Sequence, residues 1–153
     1  MSNTHLYTLS LKWIGNSKLN SIRNDRLYEI AIPGKPSFKG SADQTFYGDA
    51  TLVNPEDLLL SALSSCHMMS YFYVCRKNNI EIVSYQDNPV GTLQVNPNGS
   101  GQFSKVVLKP LIKLKKASNF KLAFSLHSEA KSLCFIGNSC SFPIVIEPII
   151  EVE

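Results

Sequence analysis

Along this chain the spacing of apolar positions changes several times, and each change marks an element. Residues 6–13, LYTLSLKW, alternate loosely with the period of a half-buried strand, and Gly15-Asn16-Ser17 marks a turn. Residues 26–32, RLYEIAI, alternate again, which predicts a first hairpin. Residues 33–53 carry no clear period and read as loop, a long stretch of the kind that is often functional in a compact domain. Residues 54–79 predict one long helix. Runs at 80–85 and 90–95, the turn Asn96-Pro97-Asn98-Gly99-Ser100-Gly101 and a further run through Lys115 predict a second hairpin. Residues 118–136 predict a second helix, with Phe120, Ala123, Phe124, His127, Ala130 and Cys134 broadly on one side and Gly137-Asn138 as its stop. Residues 143–152 form a last strand, edge or bulged because it contains Pro148. The expected fold is α+β: a mostly antiparallel sheet packed on a long central helix, in a single domain over 1–153.

The central helix, NPEDLLLSALSSCHMMSYFYVCRKNN, has readable ends. Asn54 is a good N-cap, Pro55 suits the first helical position, and Glu56 and Asp57 place negative charge at the positive pole. Arg76 and Lys77 complement the other pole, and Asn78-Asn79 permit a stop. Between them, Leu58 to Cys75 contains no charge and puts apolar groups on nearly every face, so the helix must be surrounded. Its length makes it a membrane-span candidate. Against that stand the interruptions at Ser61, Ser64, Ser65, His67 and Ser70, the single such segment and a mean hydropathy of −0.03. One sheet leaves the other side of the helix bare, and a homodimer pairing two such helices would cover it.

A net charge of +3, without lysine blocks interleaved with aromatics, argues against nucleic-acid binding. The opening MSNTHLYTLS has no secretory pattern, so the expected compartment is the cytosol, where Cys66, Cys75, Cys134 and Cys140 are thiols unless their chemistry is redox. No cysteine pair stands in CxxC register and no histidines in HxxxH register, and adjacent Cys66 and His67 point in different directions on a helix. A metal module is therefore the weakest reading.

Read from its neighbours alone, Cys66 is a small core hydrophobe. Reactivity requires a thiolate, and burial in mid-helix opposes one, so a cation must come from elsewhere. Arg26 is the candidate, with Arg23 as its neighbour, and from the residues alone a solvated strand-end arginine is the favoured reading of either. Glu56 lies about 15 Å from Cys66 along the same helix. It can help only through Arg26 or from a partner helix, and as a dipole-complementing residue it needs no further role. Cys134, beside the helix end and the Gly-Asn break, is better placed to move, and a mobile thiol that meets a sulfenic acid closes a disulfide. Cys75 and Cys140 read as core or post-break cysteines without a cation.

The combination NPEDLLLSALSSCHMM, Arg26 ahead of GKP, the GSAD...GD loop before the helix and the late LCFIGNS...FP resembles the OsmC/Ohr family of thiol-dependent peroxidases, over nearly the whole chain. The His67-Met68 pair and the LCFIGNSCSFP tail are nearer to an OsmC-like branch distinct from the typical Ohr and OsmC proteins. The resemblance implies an intertwined homodimer with two curved sheets around two central helices and active sites at the subunit interface. It implies that Cys66 attacks the peroxide and becomes a sulfenic acid, that Cys134 resolves it, with Cys140 a possible competitor, and that Arg26, oriented by Glu56, stabilises the thiolate. Organic hydroperoxides are the implied substrates and dithiols, including lipoyl groups, the implied reductants, with no metal or organic cofactor. An apolar wall of Leu59, Leu63, Met69 and Phe72 would favour a peroxide with an organic tail. The rival is a non-catalytic dimeric redox-sensing or small-molecule-binding protein of the same fold.

Overall fold

The computed structural model describes residues 3–15, 24–116 and 119–153. Its contacts divide the chain into two compact units, Met1–Leu59 and Leu60–Glu153.

In the first unit β1 (Ser10–Trp13) pairs antiparallel with β2 (Tyr28–Ala31), Trp13 opposite Tyr28, which is the hairpin the alternation predicts. A third strand, β3 (Phe38–Gly40), adds to β2 from within the stretch that reads as loop. Residues 40–53 are shaped by local polar bonds rather than by periodicity. Asp43 caps a short 3-10 turn, Gln44–Phe46, accepting the Thr45 N–H at 2.7 Å, and Ser41 Oγ accepts the Asp49 N–H at 3.0 Å. Gly48 closes this turn: a Cβ there would stand 1.6 Å from the Ala42 carbonyl oxygen. Gly40 then bridges in parallel to Val53, at the foot of the long helix.

That helix, α1, spans Pro55–Lys77. Its start is a reciprocal cap, Asn54 Oδ1 accepting the Asp57 N–H at 2.7 Å while the Asp57 carboxylate accepts the Asn54 N–H at 3.2 Å. Its stop is left-handed, with Asn79 at φ 57° and the Ile80 N–H returning to the Cys75 carbonyl.

The α+β fold is as expected and its strand pairing is mostly antiparallel, but the second unit carries two sheets rather than one, each with a parallel strand at one edge. In one, β7 (Pro110–Leu114) lies between β4 (Ile82–Asp87), antiparallel, and β9 (Ile149–Val152), parallel. In the other, β6 (Gly101–Leu108) lies between β5 (Val90–Val95), antiparallel, and β8 (Ile144–Ile146), parallel. Pro148 accounts for the difference: the last run is two strands, and each joins a different sheet. Bulges between Ile82 and Ser84 and between Thr92 and Leu93 bend the antiparallel edges.

Helix α1 buries Leu63, His67, Tyr71, Val74 and Cys75, a single inward row that widens at its last turn. The upper part joins a core of Ile80, Ile112, Leu114, Ala123, Leu126 and Ala130, while Leu63 joins Val106, Leu108 and Cys134. The second helix is shorter than expected: α2 is Phe120–Leu133, capped by the Asn119 side chain, and a separate turn, α3, is Phe135–Asn138. Leu126 takes the inward place assigned to Phe124; Phe120 and Phe124 are exposed. So is the α1 row Ser61, Ser65, Met69, Tyr73, Met69 by 62% and Tyr73 by 61%, although the sequence calls for cover. The length and apolarity of α1 would suit a membrane span, but its buried row is packed against protein, as in a core helix.

Because the Gly48 clash would be with backbone, Gly48→Ala is expected to destabilise the protein by about 2 kcal/mol or more, read from the urea midpoint. An unchanged midpoint would mean that the turn relaxes at no cost.

Candidate functional site

The structure brings Cys66 and Cys134 together. Cys66 faces the core from the third turn of α1, half-buried, beside the cluster that holds Leu63 and Cys134. Cys134 is only 2% exposed and adopts an extended conformation, φ −74° and ψ 104°, which ends α2 one turn earlier than the sequence suggests. That break reorients the next peptide groups. The Gly137 N–H donates to Cys134 Sγ at 3.3 Å, and the Ile136 N–H to Cys66 Sγ at 3.5 Å. The two cysteines pack in the same apolar cluster. Burial pushes the Cys134 thiol up to about 11, with the neighbouring Cys66 adding to the rise and the Gly137 N–H opposing it. At neutral pH Cys134 therefore keeps its proton.

The other candidates are dispersed. Leu63 lies in the thiol cluster; Phe72 packs in the other core, edge-on to Tyr85 at 5.6 Å; Met69 is exposed. From Cys66, Phe72 is six residues on and well round the helix, which accounts for its membership of the other core. Leu59 is the last residue of the first unit and half-buried. Arg26 ends a 3-10 turn, Asn24–Arg26, and is exposed, with no ion pair among the described residues. Arg23 lies outside the described residues. Glu56, in the first turn of α1, is half-buried near Tyr28, whose phenol is raised by burial and then by the charges of Glu56 and Asp57. Cys75 is buried, and burial raises its thiol. Cys140 donates to the Ile136 carbonyl at 3.2 Å, on α3 itself.

Sequence reasoning missed the centre of the second unit. His67, 1% exposed, and His127, 5% exposed, meet across α1 and α2, His67 Nε2 and His127 Nδ1 being 3.1 Å apart. Tyr71 stacks on His127 at 3.9 Å and 6° and donates its hydroxyl to the Ala123 carbonyl. Both histidines are held well below the usual imidazole range by burial, His67 at about 4 and His127 at about 3. For His67 the Asp87 carboxylate pulls upward and Lys131 downward; for His127 the neighbouring His67 adds to the fall. Among the described residues no three metal-ligating side chains gather. A signal was present: each histidine falls on the inward row of its own helix, where only a partnered imidazole is tolerated.

Both imidazoles are neutral when folded, so unfolding takes up protons below the unfolded value of 6.5. Their contribution is complete above pH 6.5 and is lost as the pH falls toward 4, by about 1 kcal/mol per pH unit for each histidine. Urea titrations from pH 7 to pH 4.5 should show that slope, and His127→Phe should flatten it by about half. An equal slope in both proteins would show that the pair does not govern acid stability.

Residues 48–148 match the OsmC family model, described as OsmC-like protein; the stretch includes both thiols and both histidines, and Arg26 precedes it. The uncharacterized protein YmaD of Bacillus subtilis is 24% identical over 144 residues, 91% of this chain and 88% of that protein. An OsmC-like protein of unknown function from Vibrio cholerae is 27% identical, with a TM-score of 0.84 over 95% of this chain and 100% of that one. An organic hydroperoxide resistance protein from Elizabethkingia anophelis shares the fold at 18% identity, with a TM-score of 0.70 over 99% and 100% of the two chains. With a family match over about two thirds of its length, the chain belongs to the OsmC-like protein family.

Proposed function

We propose that this protein is a two-cysteine, thiol-dependent peroxidase acting on organic hydroperoxides. The observation that carries the proposal is the Cys66–Cys134 pair in one apolar cluster, with backbone N–H groups directed at both sulfurs. The Cys66 thiolate attacks the peroxide oxygen, the O–O bond breaks, and the alkoxide leaves as an alcohol after taking a proton. Cys66 is then a sulfenic acid. The Cys134 sulfur attacks it, the S–O bond breaks, and the thiol proton leaves with the hydroxyl as water. A dithiol restores both thiols by exchange, a lipoyl group being one such donor. Arg26, oriented by Glu56, is the cation assigned to the thiolate, and Leu63 is the part of the apolar wall that adjoins the thiols.

A homodimer belongs to the same proposal. The exposed α1 row with Met69 and Tyr73, and the exposed Leu11 and Trp13 on one face of β1, are apolar surfaces that a second copy would cover. A reducing cytosol would keep the resting cysteines as thiols.

Stopped-flow oxidation of the reduced protein by an organic hydroperoxide is expected to outpace hydrogen peroxide by about tenfold or more. Cys66→Ser should abolish it, Arg26→Ala should slow it by about a hundredfold, and Cys134→Ser should leave a trappable sulfenic acid. Oxidation no faster than that of a free thiol, and indifferent to Arg26, would replace this reading with a non-catalytic redox-sensing or small-molecule-binding protein.

A further inference from the structure

Cys134 and Cys140 hold one peptide group from opposite ends. Cys134 Sγ accepts the Gly137 N–H at 3.3 Å, and Cys140 Sγ donates to the Ile136 carbonyl at 3.2 Å. That N–H and that carbonyl belong to the same planar unit, which sets the two sulfurs within about 9 Å of each other. Gly137 leaves the Cys134 sulfur uncrowded on this side, since a Cβ there would stand 3.2 Å from it. The element between the cysteines is α3, a single turn, and a helix of one turn has little stability of its own. Cys140 is half-buried, whereas Cys134 is 2% exposed.

We propose that Cys140 is the third thiol of a relay: it attacks Cys134 in the Cys66–Cys134 disulfide, releases Cys66, and carries the bridge to the turn 134–140. The inference rests on the peroxidase reading for the source of that disulfide. Cys140 gives up its proton and its sulfur bonds to Cys134 Sγ. The S–S bond between Cys66 and Cys134 breaks, and its electron pair leaves with Cys66, which takes up a proton. One disulfide replaces another, with no oxidant consumed. A dithiol, the reductant class already named, then reduces the Cys134–Cys140 bridge, attacking first at the half-buried Cys140. Cys66 is free for the next peroxide before that reductant arrives.

Enclosure and leaving-group chemistry both favour attack at Cys134 by an internal thiol. A dithiol that attacked Cys66 would have to expel Cys134, whose thiol burial pushes up to about 11, and so basic a sulfur leaves slowly. Attack at Cys134 expels Cys66, the less enclosed of the two. A dithiol from solvent cannot reach Cys134 at 2% exposure, but Cys140, six positions along the chain, can. For that α3 must open, because sulfurs bond at about 2 Å and the Ile136–Gly137 peptide stands between them. Few backbone bonds are at stake: the Asn138 N–H to the Cys134 carbonyl at 2.9 Å, the Ser139 N–H to the Ile136 carbonyl at 3.0 Å and the Cys140 N–H to the Gly137 carbonyl at 3.2 Å. Phe135, 80% exposed, has little packing to lose.

The exchange can be tested without peroxide, so its failure and that of the peroxidase reading are distinguishable. The reduced protein is oxidised with one equivalent of diamide, which makes disulfides from thiols directly, then quenched in acid, alkylated and digested with trypsin. Residues 132–153 form one tryptic peptide containing Cys134 and Cys140, and residues 40–76 another containing Cys66 and Cys75. The relay gives an internal bridge in 132–153 and an alkylated Cys66, located by fragment spectra. Cys140→Ser should instead keep the two peptides cross-linked through Cys66 and Cys134. Dihydrolipoamide should reduce that cross-link about tenfold or more slowly than it reduces the oxidised wild type. A wild type that stays cross-linked as Cys140→Ser does, or equal reduction rates in the two, would overturn the relay and leave the two-cysteine peroxidase standing. Exchange as expected in a protein that organic hydroperoxide does not oxidise would uphold the relay and remove only its proposed source.

Discussion

Helix α1 has no polar face, and the second unit is arranged around that constraint. A helix apolar on every side gains stability only where protein covers it, and a single chain covers the row Leu63, His67, Tyr71, Val74 while leaving the row Ser61, Ser65, Met69, Tyr73 to solvent. The covered row is divided between two cores, one containing Tyr71 and Val74 and the other Leu63. His67 falls between them. A polar ring at such a place requires a partner, and α2 presents another imidazole there, itself stacked on Tyr71. One unfavourable residue thus fixes the register of α1 against α2.

That register places the thiols. With α2 docked through His127 and Ala130, the chain leaves the helix at Cys134 on the inner side, one α1 residue from His67. The extended conformation at Cys134 turns the start of α3 so that two peptide N–H groups meet two sulfurs. In a dry surrounding those weak donors matter more than they would in water, since little else solvates a sulfur anion there. Cys66 remains half-buried, the more accessible of the two, and Cys134 is enclosed behind it. The asymmetry is what a nucleophile and a following thiol need.

The sequence makes legible whatever local chemistry decides. The caps at Asn54 and Asn79, the first hairpin, β5 and the inward positions of Ala123, His127, Ala130 and Cys134 follow from spacing and side-chain type. What it hides is set by partners distant in sequence. The strand at Phe38–Gly40 exists because β2 offers an edge, and the two parallel pairings depend on which strands lie beside residues 144–152. Helical spacing puts Phe124 on the inward side, but the core takes Leu126 instead. The histidine pair was hidden for the same reason: each ring, taken alone, is an interruption in an apolar run, and only the crossing of the helices makes the two a unit. Leu63, Cys66 and Cys134 could be nominated from pattern; the backbone N–H groups that reach the two sulfurs depend on a helix break that no periodicity announces.

Pro148 has a consequence for the order in which the molecule can assemble. By parting the last run into β8 and β9, it sends adjacent segments into separate sheets, with Ile144 beside Val106 and Ile149 beside Leu111. Each of these parallel pairings closes a loop of nearly forty residues, the kind of contact that forms late because its entropy must be lost first. During synthesis both sheets stay two-stranded, with an open edge, until residues 144–152 have been made. A nascent chain stalled before that point exposes two templates for strand addition at once, so the same short segment that completes the fold also protects it from pairing with its neighbours.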